Sequence, residues 1–489
     1  MSEVEVVHNK RTIHRGDGKK AGDSENNKQS VLKKFSTKKL YRMCMVASWI
    51  IVVFALLHNL SLATMYTITS KLNIRSFRNT AERDHFYHVT SNSGVQNKDT
   101  FVSLIENNIH IYSAIAYNST VGAGVETIYL SGWENRMWSK FYNPEITCCL
   151  IYAPNENDIM KTNLSEKHNW YYVGKSKLEV KQYICPNFLR GLNRVPKAVS
   201  LGMDKNCPKN KSKYLIVDYP KKEEPDTVAV CAKLVYENIS ASAIIEWFEY
   251  QKMIGVSKVM LYTHNLNANA MSVVKYYKSS GFCEAFPFKN PQIGDQERGV
   301  GIKNFQGWND EQVPVYDCQA KLSGHTYIAL YDVDEFLHQN ETSSLPKFLK
   351  KLSGLYPTAA GFTFKTEIYA TTWGRDNGSS SIRDLMIGSY TMRTEAYRDR
   401  VKSIVIANRI EPGRLFTHGY WAKRPYKKPV ISENLATLKH YRTCRKEWLR
   451  KGGEKCFKTI EKTRDTSMLP VAAKLKDRVN EVKNNLGIT

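Results

Sequence analysis

An acidic cluster at the end of an apolar stretch is the part of this sequence best suited to chemistry. Residues 326–337 read TYIALYDVDEFL, and the mostly apolar run leads directly into Asp332, Asp334 and Glu335. Asp332 and Asp334 stand two positions apart, so their side chains share one side of the chain if strand geometry persists. Two carboxylates together suit Mn²⁺ or Mg²⁺, and such an ion usually keeps phosphate oxygens among its other ligands. The cluster therefore indicates a metal–diphosphate site.

The acidic cluster has two alternative interpretations, a loop cap and a phosphatase site. A short Asp-x-Asp often only caps a loop, but this is the single Asp-x-Asp of the chain and it follows an apolar strand. A phosphatase with an Asp nucleophile normally has Thr or Val two places after the second Asp, and here Glu335 and Phe336 follow. The metal–diphosphate interpretation is therefore favoured.

The elements before the cluster alternate between strand and helix. Strands are predicted over residues 228–235, 258–262 and 283–288, and helices over residues 241–254, 268–277 and about 312–322. This alternation is typical of α/β proteins with a doubly wound, mostly parallel sheet. In such sheets ligands bind at the carboxyl ends of the strands, which is where the acidic cluster falls.

The amino-terminal part predicts a membrane anchor. Residues 1–42 are polar and read as a disordered cytoplasmic tail, and residues 43–65 form an apolar stretch that reaches the ~20 residues of a membrane span. Basic residues crowd its amino side, which keeps the tail in the cytosol and favours a type II signal anchor over a cleaved signal peptide. Residues 66–100 read as a stem, and residues 101–225 as a small β-rich lumenal domain of short strands.

Charge and cysteines bound the partners and the compartment. The net charge of +24 is compatible with nucleic-acid binding, but the basic residues are scattered and no nucleic-acid motif is present, so no nucleic-acid partner is predicted. Of the 10 cysteines, Cys44 falls in the predicted span. The other nine are predicted to form disulfides, which suits a lumenal domain, and an odd number leaves at least one thiol free or intermolecular.

Several segments, taken in order, resemble one protein family. They are VAVCAKLVYEN, IIEWFEYQKMIGVSKVMLY, YDCQAKLSGHTYIALYDVDEFL, KSIV and KHYRT. Over about residues 226–445 the chain resembles glycosyltransferase family 92. The resemblance implies a GT-A fold and an inverting, divalent-metal-dependent transfer of a sugar from a nucleotide donor. Animal members suggest galactose from UDP-galactose, added to fucose of N-glycans on glycoproteins. Such a type II enzyme would lie in the Golgi membrane with its catalytic domain in the lumen.

The resemblance also implies a metal set. Asp332 and Asp334 match the family's Asp-x-Asp and would hold Mn²⁺ (or Mg²⁺) against the donor diphosphate. His440 matches a family histidine and is the predicted third ligand, with His418 as the second choice. Glu335 also matches, either as part of the site or as a brace for a neighbouring backbone or basic group.

The resemblance also implies which residues bind the donor. The predicted donor-binding residues, in addition to Asp332, are Tyr236, Glu237, His264 and Asn265, although the family commonly has an acid where Thr263-His264 stands. Glu246 and Trp247 match as well and are interpreted as packing residues.

The general base has two candidates. Inverting transfer needs one carboxylate to take the proton of the acceptor hydroxyl, and Glu367 and Asp376 are predicted for this role, with Asp376 slightly preferred. Trp373, beside Asp376, is predicted to stack on an acceptor sugar.

The tail 446–489 is predicted to be a basic, solvated helical extension. The alternative function is a membrane-anchored protein that binds glycans or partners without catalysis, although such a protein would not need Asp332, Asp334 and His440.

Overall fold

The computed structural model describes one of the two compact units of the chain. The units are Met1–Asn92 and Ser93–Thr489, and the described residues all belong to the second: 101–118, 126–142, 144–152, 158–170, 177–187, 196–236, 238–291, 310–376, 380–444 and 461–488. The predicted tail 1–42, span 43–65 and stem 66–100 lie outside these ranges. Within them, no helix is both long and apolar enough to cross a bilayer.

The described residues between 101 and 225 form two antiparallel sheets. One has the strand order β1-β2-β3-β7-β6 and the other β5-β4-β8-β9. The elements are β1 (Val102–Leu104), β2 (Ile109–Asn118), β3 (Glu126–Asn135), α1 (Arg136–Tyr142), β4 (Ile146–Tyr152), β5 (Ile159–Asn163), β6 (Glu166–Trp170), β7 (Leu178–Pro186), β8 (Pro196–Met203) and β9 (Leu215–Ile216).

Two disulfides stabilise these sheets, which confirms the prediction that cysteines of this part form disulfides. Cys148 and Cys149 are consecutive residues of β4, so their side chains point to opposite faces of the strand. Cys148 is bonded to Cys185 of β7, in the other sheet, and Cys149 is bonded to Cys207. Because adjacent cysteines serve opposite faces, β4 is covalently tied on both sides.

The rest of the described chain alternates strands and helices. These elements are β10 (Val228–Tyr236), α2 (Ala241–Ile254), β11 (Lys258–His264), α3 (Ala268–Ser279), β12 (Cys283–Pro287), α4 (Gln312–Lys321), β13 (Tyr327–Leu330), β14 (Glu335–Gln339), α5 (Leu345–Leu355), β15 (Gly361–Ala370), α6 (Met386–Ser389), β16 (Met392–Arg393), β17 (Tyr397–Ile406), β18 (Leu415–Phe416), β19 (Gly419–Tyr420), β20 (Ala436–Arg442), β21 (Thr463–Arg464) and α7 (Leu469–Leu486).

Local capping signals explain why α2 has the bounds that the sequence predicts. Its first turn is capped by Ser240, whose hydroxyl accepts a hydrogen bond from the backbone N–H of Ala243. The helix ends at Gly255, which adopts φ 91°, a left-handed conformation that a glycine reaches without steric cost. Between these caps, Ile244, Trp247 and Phe248 are buried against the sheet.

The main sheet is mixed rather than mostly parallel. Its order is β12-β11-β10-β13-β17-β15-β16-β21, and the first four strands are mutually parallel. Off this path, β20 pairs in parallel with β15 and antiparallel with β14. Strand β17 pairs antiparallel with both β13 and β15. Parallel neighbours need a crossover connection, usually a helix, and the alternation that signals such crossovers ends at β13. The prediction of a mostly parallel sheet is therefore correct only for residues 228–330.

The C-terminal helix α7 belongs to the core instead of being fully solvated. Its buried residues recur at helical spacing on one face and join the core cluster of α2: Ala472, Leu475, Val479 and Val482. The opposite face carries lysines such as Lys474, which is exposed. The prediction of a helix in the 446–489 extension is correct, but its amphipathic pattern packs one side against the α/β region.

The β-rich part and the α/β part share buried contacts. Trp133 of β3 is fully buried and its indole Nε1 donates to Asp310 Oδ1 at 2.8 Å.

A third disulfide joins Cys231 of β10 to Cys318 of α4. Cys444 is also disulfide-bonded, whereas Cys283 is a buried free thiol, in agreement with the odd number of cysteines after the predicted span.

Candidate active site

The acidic cluster lies at a turn that follows the buried strand β13. Strand β13 ends at Leu330 and β14 begins at Glu335, and the turn between them is closed by the backbone N–H of Glu335 donating to the carbonyl of Asp332 at 3.0 Å. Because strand geometry does not persist, Asp332 and Asp334 face different partners. The condition under which the two side chains were predicted to share one side, a strand that continues through Asp334, is not met.

Asp332 is held by two lysines. Its Oδ1 lies 2.8 Å from Lys233 Nζ and its Oδ2 lies 2.6 Å from Lys402 Nζ. Both lysine side chains are almost completely buried, at 6% and 0% exposure. Burial alone would raise the pKa of the Asp332 carboxyl, but the two ammonium groups hold it well below its usual range. Asp332 is therefore a charged, lysine-paired carboxylate.

Lys233 reaches Asp332 because β10 contains a bulge. The pairing of β10 with β11 shifts register between Cys231 and Leu234, and Lys233 has φ 50°. A lysine in this left-handed conformation is uncommon, and such conformations cluster at functional sites. Sequence analysis did not single out Lys233 or Lys402. The available signal was a single lysine inside each of two apolar strands, VAVCAKLV and VKSIVI.

Asp334, Glu335 and His440 form the one group of possible metal ligands among the residues that the structure describes. Their ligand atoms all lie within 4.8 Å of one another. His440 Nε2 is 3.3 Å from Asp334 Oδ2, and His440 Nδ1 is 3.6 Å from Glu335 Oε1. Strand β14 pairs with β20 so that Glu335 is directly opposite His440. The sheet register therefore assembles this group from residues about 100 positions apart.

Three atoms of this group are buried without a hydrogen-bond partner: Asp334 Oδ1, Glu335 Oε1 and His440 Nδ1. Buried polar atoms are normally paired, so such atoms call for an explanation such as an ion. Two carboxylates and an imidazole are oxygen and nitrogen donors of the kind that Mn²⁺ accepts. The side chains present therefore fit a divalent cation.

Glu335 also braces the turn, which is the second role considered for it. Its Oε2 accepts the backbone N–H of Asp332 at 2.8 Å and lies 3.0 Å from Lys402 Nζ. Burial raises the pKa of Glu335, and the Lys402 ammonium opposes that shift only in part. One oxygen of Glu335 thus holds the turn while the other faces His440.

The predicted donor-binding residues lie at the ends of the parallel strands. Tyr236 of β10 is paired in register with His264 of β11, and both stand at the carboxyl ends of their strands. Tyr236 is 40% exposed. His264 Nδ1 is hydrogen-bonded to the carbonyl of Phe288 at 2.9 Å, and Asn265 follows with φ 50°. Glu237 lies outside the described residues.

Glu367, one of the two predicted bases, lies in a buried ion-pair network. Its Oε2 accepts from Thr437 at 3.1 Å and from Lys439 Nζ at 3.2 Å, and Arg393 lies 3.4 Å from its Oε1. Lys439 and His440 are neighbours on β20, so their side chains point to opposite faces of that strand. Glu367 therefore lies on the face away from His440.

Asp376, the other predicted base, lies beyond the carboxyl end of β15. Its Oδ2 accepts from Arg464 Nη2 at 2.9 Å and from the hydroxyl of Thr391. Its side chain is 15% exposed. The nearby Trp373 has Lys462 Nζ 4.9 Å from its ring centroid. In this structure neither Glu367 nor Asp376 is within the group formed by Asp334, Glu335 and His440.

Helix α2 contacts the backbone of the group formed by Asp334, Glu335 and His440. Trp247 Nε1 donates to the carbonyl of Glu335 at 3.0 Å. Glu246 accepts the backbone N–H groups of Met386 and Ile387 at 2.7 and 2.9 Å, and burial raises the pKa of Glu246 to about 7. Both act as packing residues, as interpreted from the sequence. His418, the second choice for the metal, is exposed, with Nδ1 3.4 Å from the carbonyl of Val401.

Comparison with known structures gives only weak similarity. TarS residues 1–349 of S. aureus match at 12% identity and a TM-score of 0.24, covering 46% of this chain and 62% of TarS. UDP-glucose pyrophosphorylase complexed with UDP-glucose matches at 10% identity and a TM-score of 0.19, covering 53% of this chain and 99% of that protein. A search of curated protein sequences gives no match.

The family comparison is more informative. The model of glycosyltransferase family 92 matches residues 226–484. This range begins just before β10, contains Asp332, Asp334, Glu335 and His440, and extends into α7. It therefore includes the C-terminal helix that the structure packs against α2. Since the match spans more than half of the 489 residues, the protein belongs to glycosyltransferase family 92.

Proposed function

We propose that the protein transfers galactose from UDP-galactose to a glycan acceptor such as fucose on N-glycans, with inversion and with the help of Mn²⁺. Membership of the family supports sugar transfer. The observation that carries the metal dependence is the group of Asp334, Glu335 and His440 with its three unpartnered buried atoms. The GT-A fold and the type II anchor in the Golgi membrane stay predictions.

The proposed ligands are Asp334, Glu335 and His440, so Glu335 replaces Asp332 in the set predicted from the sequence. The reason is that both oxygens of Asp332 are engaged by Lys233 and Lys402. When bound, the cation acts as a Lewis acid that neutralises charge on the departing nucleotide.

Charge balance supports diphosphate binding beside this group. Asp332, Asp334 and Glu335 supply three negative charges when ionised, and Lys233 and Lys402 supply two positive ones, which leaves a net of −1. A divalent cation changes that net charge to +1, which attracts the donor diphosphate. The lysines keep Asp332 ionised and hold the turn, so Asp334 and Glu335 are oriented before the donor arrives.

The acceptor side needs a base, and we retain Asp376 for this role. Glu367 lies on the face of β20 away from His440, where Lys439 and Arg393 pair with its carboxylate. Asp376 lies past the end of β15, a strand that pairs in parallel with β20 so that Ile368 is opposite His440. In this role the Asp376 carboxylate takes the proton of the acceptor hydroxyl while the hydroxyl oxygen attacks the anomeric carbon. The bond from that carbon to the diphosphate oxygen breaks in the same step, and UDP leaves.

A transfer assay with metal removal tests the proposal. We expect full-length protein, purified in detergent, to transfer galactose from UDP-galactose to a fucosylated N-glycan in the presence of Mn²⁺. Chelation with EDTA should abolish transfer, and added Mn²⁺ should restore it. Activity that is undiminished in EDTA would contradict the metal dependence. Transfer from another UDP-sugar in its place would correct the donor but keep the enzyme class.

The intact ligand group favours this proposal over a non-catalytic glycan-binding protein. A binding protein has no need for two carboxylates and an imidazole with unpartnered buried atoms. Absence of transfer from every UDP-sugar tested, together with glycan binding that ignores Mn²⁺, would support that alternative.

A further inference from the structure

A small hairpin lies beside the lysine that holds Asp332. It consists of β18 and β19 and is followed by Trp421. His418, in its turn, has Nδ1 3.4 Å from the carbonyl of Val401, the residue before Lys402. The turn of the hairpin therefore lies beside the strand segment that carries Lys402.

Trp421 is both exposed and fixed in place. Its side chain is 52% exposed, and it is the only tryptophan among the large exposed apolar residues of the described chain. The Arg414 guanidinium lies 5.1 Å from its ring centroid, and the ring of Phe416 lies 4.7 Å away at 72°. Its backbone N–H donates to the carbonyl of Arg414 at 2.8 Å. Cation–π and edge-to-face contacts of this kind fix a ring without covering all of it.

The β-rich part holds this arrangement from the other side. Arg414 Nη2 lies 3.3 Å from Glu166 Oε1 and 3.3 Å from His168 Nε2, both on β6. The arginine thus bridges β6 and the hairpin while it contacts the Trp421 ring. The two parts of the chain therefore combine to position one exposed aromatic surface.

Single exposed apolar residues are ordinary on protein surfaces and need no ligand. Two observations set Trp421 apart. Its ring is held by Arg414 and Phe416. It also directly follows the hairpin whose turn residue, His418, lies beside Val401. A pyranose ring has one face of C–H groups that packs on an indole, while its hydroxyl groups remain free to bond with charged neighbours. An indole already fixed in place loses little conformational entropy when such a ring binds.

We propose that Trp421, held by Arg414 and Phe416, is a stacking platform for a sugar ring of the glycan acceptor. This inference rests on the proposed function, because it names the substrate class of that same site. It differs from the earlier prediction that Trp373 stacks on the acceptor. Trp373 packs against Ile368, Ala370 and Tyr397, and Lys462 lies over its ring.

Glycan binding without donor or metal tests the platform separately from catalysis. The probe is a free N-glycan that carries core fucose, titrated calorimetrically into the full-length protein. We expect Trp421→Ala to bind it about 10-fold more weakly than the wild type, and Trp421→Phe to retain most of the affinity, since a smaller ring still stacks. Phe141→Ala, which removes an aromatic side chain 69% exposed on α1, is the matched control and should bind normally.

Donor binding separates this proposal from the proposed function. Trp421→Ala should bind UDP-galactose with Mn²⁺ as the wild type does, because the platform does not touch the ligand group. Equal glycan affinity of Trp421→Ala and the wild type, or no saturable glycan binding by the wild type, would overturn the platform. A loss caused by Trp373→Ala instead would also overturn it and assign the role to Trp373. None of these results bears on metal-dependent donor binding, which is measured independently.

Discussion

Asp334→Asn is expected to reduce sugar transfer by at least about 100-fold, since even residues that only support a metal ligand change affinity by 10–100-fold when altered. The substitution keeps the side-chain shape but removes one negative charge from the proposed ligand group. Affinity for Mn²⁺ and for UDP-galactose should fall together, because the cation is proposed to hold the donor diphosphate. The measurements are transfer rate and calorimetric binding of UDP-galactose in the presence of Mn²⁺.

Folding should be nearly unaffected by this change. The Asp334 side chain is 41% exposed and asparagine has nearly the same shape, so the substitution creates no cavity. Asp477→Asn, which neutralises an exposed carboxylate on α7, is the matched control and should transfer normally. A transfer rate close to that of the wild type in Asp334→Asn would remove the basis for the metal site.

Lys402→Met is expected to lower the free energy of unfolding by about 3–5 kcal/mol, as is typical when one partner of a buried ion pair is removed. The Lys402 ammonium is fully buried and bridges Asp332 Oδ2, at 2.6 Å, and Glu335 Oε2, at 3.0 Å. Methionine fills a similar volume, so the substitution leaves no large cavity. The decrease in the free energy of unfolding therefore measures the cost of leaving the Asp332 and Glu335 carboxylates without the Lys402 ammonium. Chemical denaturation with the disulfides intact measures it.

Lys365→Met provides the comparison for an exposed pair. Lys365 Nζ lies 3.0 Å from Glu433 Oε2, but the two side chains are 25% and 48% exposed. Water and salt screen such a pair, so its loss should cost under about 1 kcal/mol. Equal destabilisation by the two substitutions would contradict the role given to burial at Lys402.

Local signals explain what the sequence predicted well. Ser240 and Gly255 mark the two ends of α2 within a few residues of the helix itself, and the predicted and observed bounds agree. The apolar run of β13 similarly identified a buried strand that ends at the acidic cluster. These features depend on neighbours in sequence, so a single sequence carries them.

Long-range pairing explains what the sequence could not predict. Glu335 and His440 meet because β14 and β20 pair in one particular register, and nothing local to either strand specifies that register. Lys233 turns towards Asp332 through a bulge whose left-handed residue is not a glycine. The turn after Tyr331 gives Asp332 and Asp334 different partners, so the ligand set that we propose differs from the one that the Asp-x-Asp predicts.

The proposed set of Asp334, Glu335 and His440 is tested most directly by pulsed EPR spectroscopy of Mn²⁺ bound to the full-length protein. A nitrogen ligand gives a ¹⁴N coupling to the manganese, and His440 is the one histidine in the proposed set. We expect this coupling in the wild type and in His418→Ala, and we expect it to be absent in His440→Ala. A coupling that persists in His440→Ala, one that disappears in His418→Ala, or a wild-type protein that binds no Mn²⁺ would contradict it.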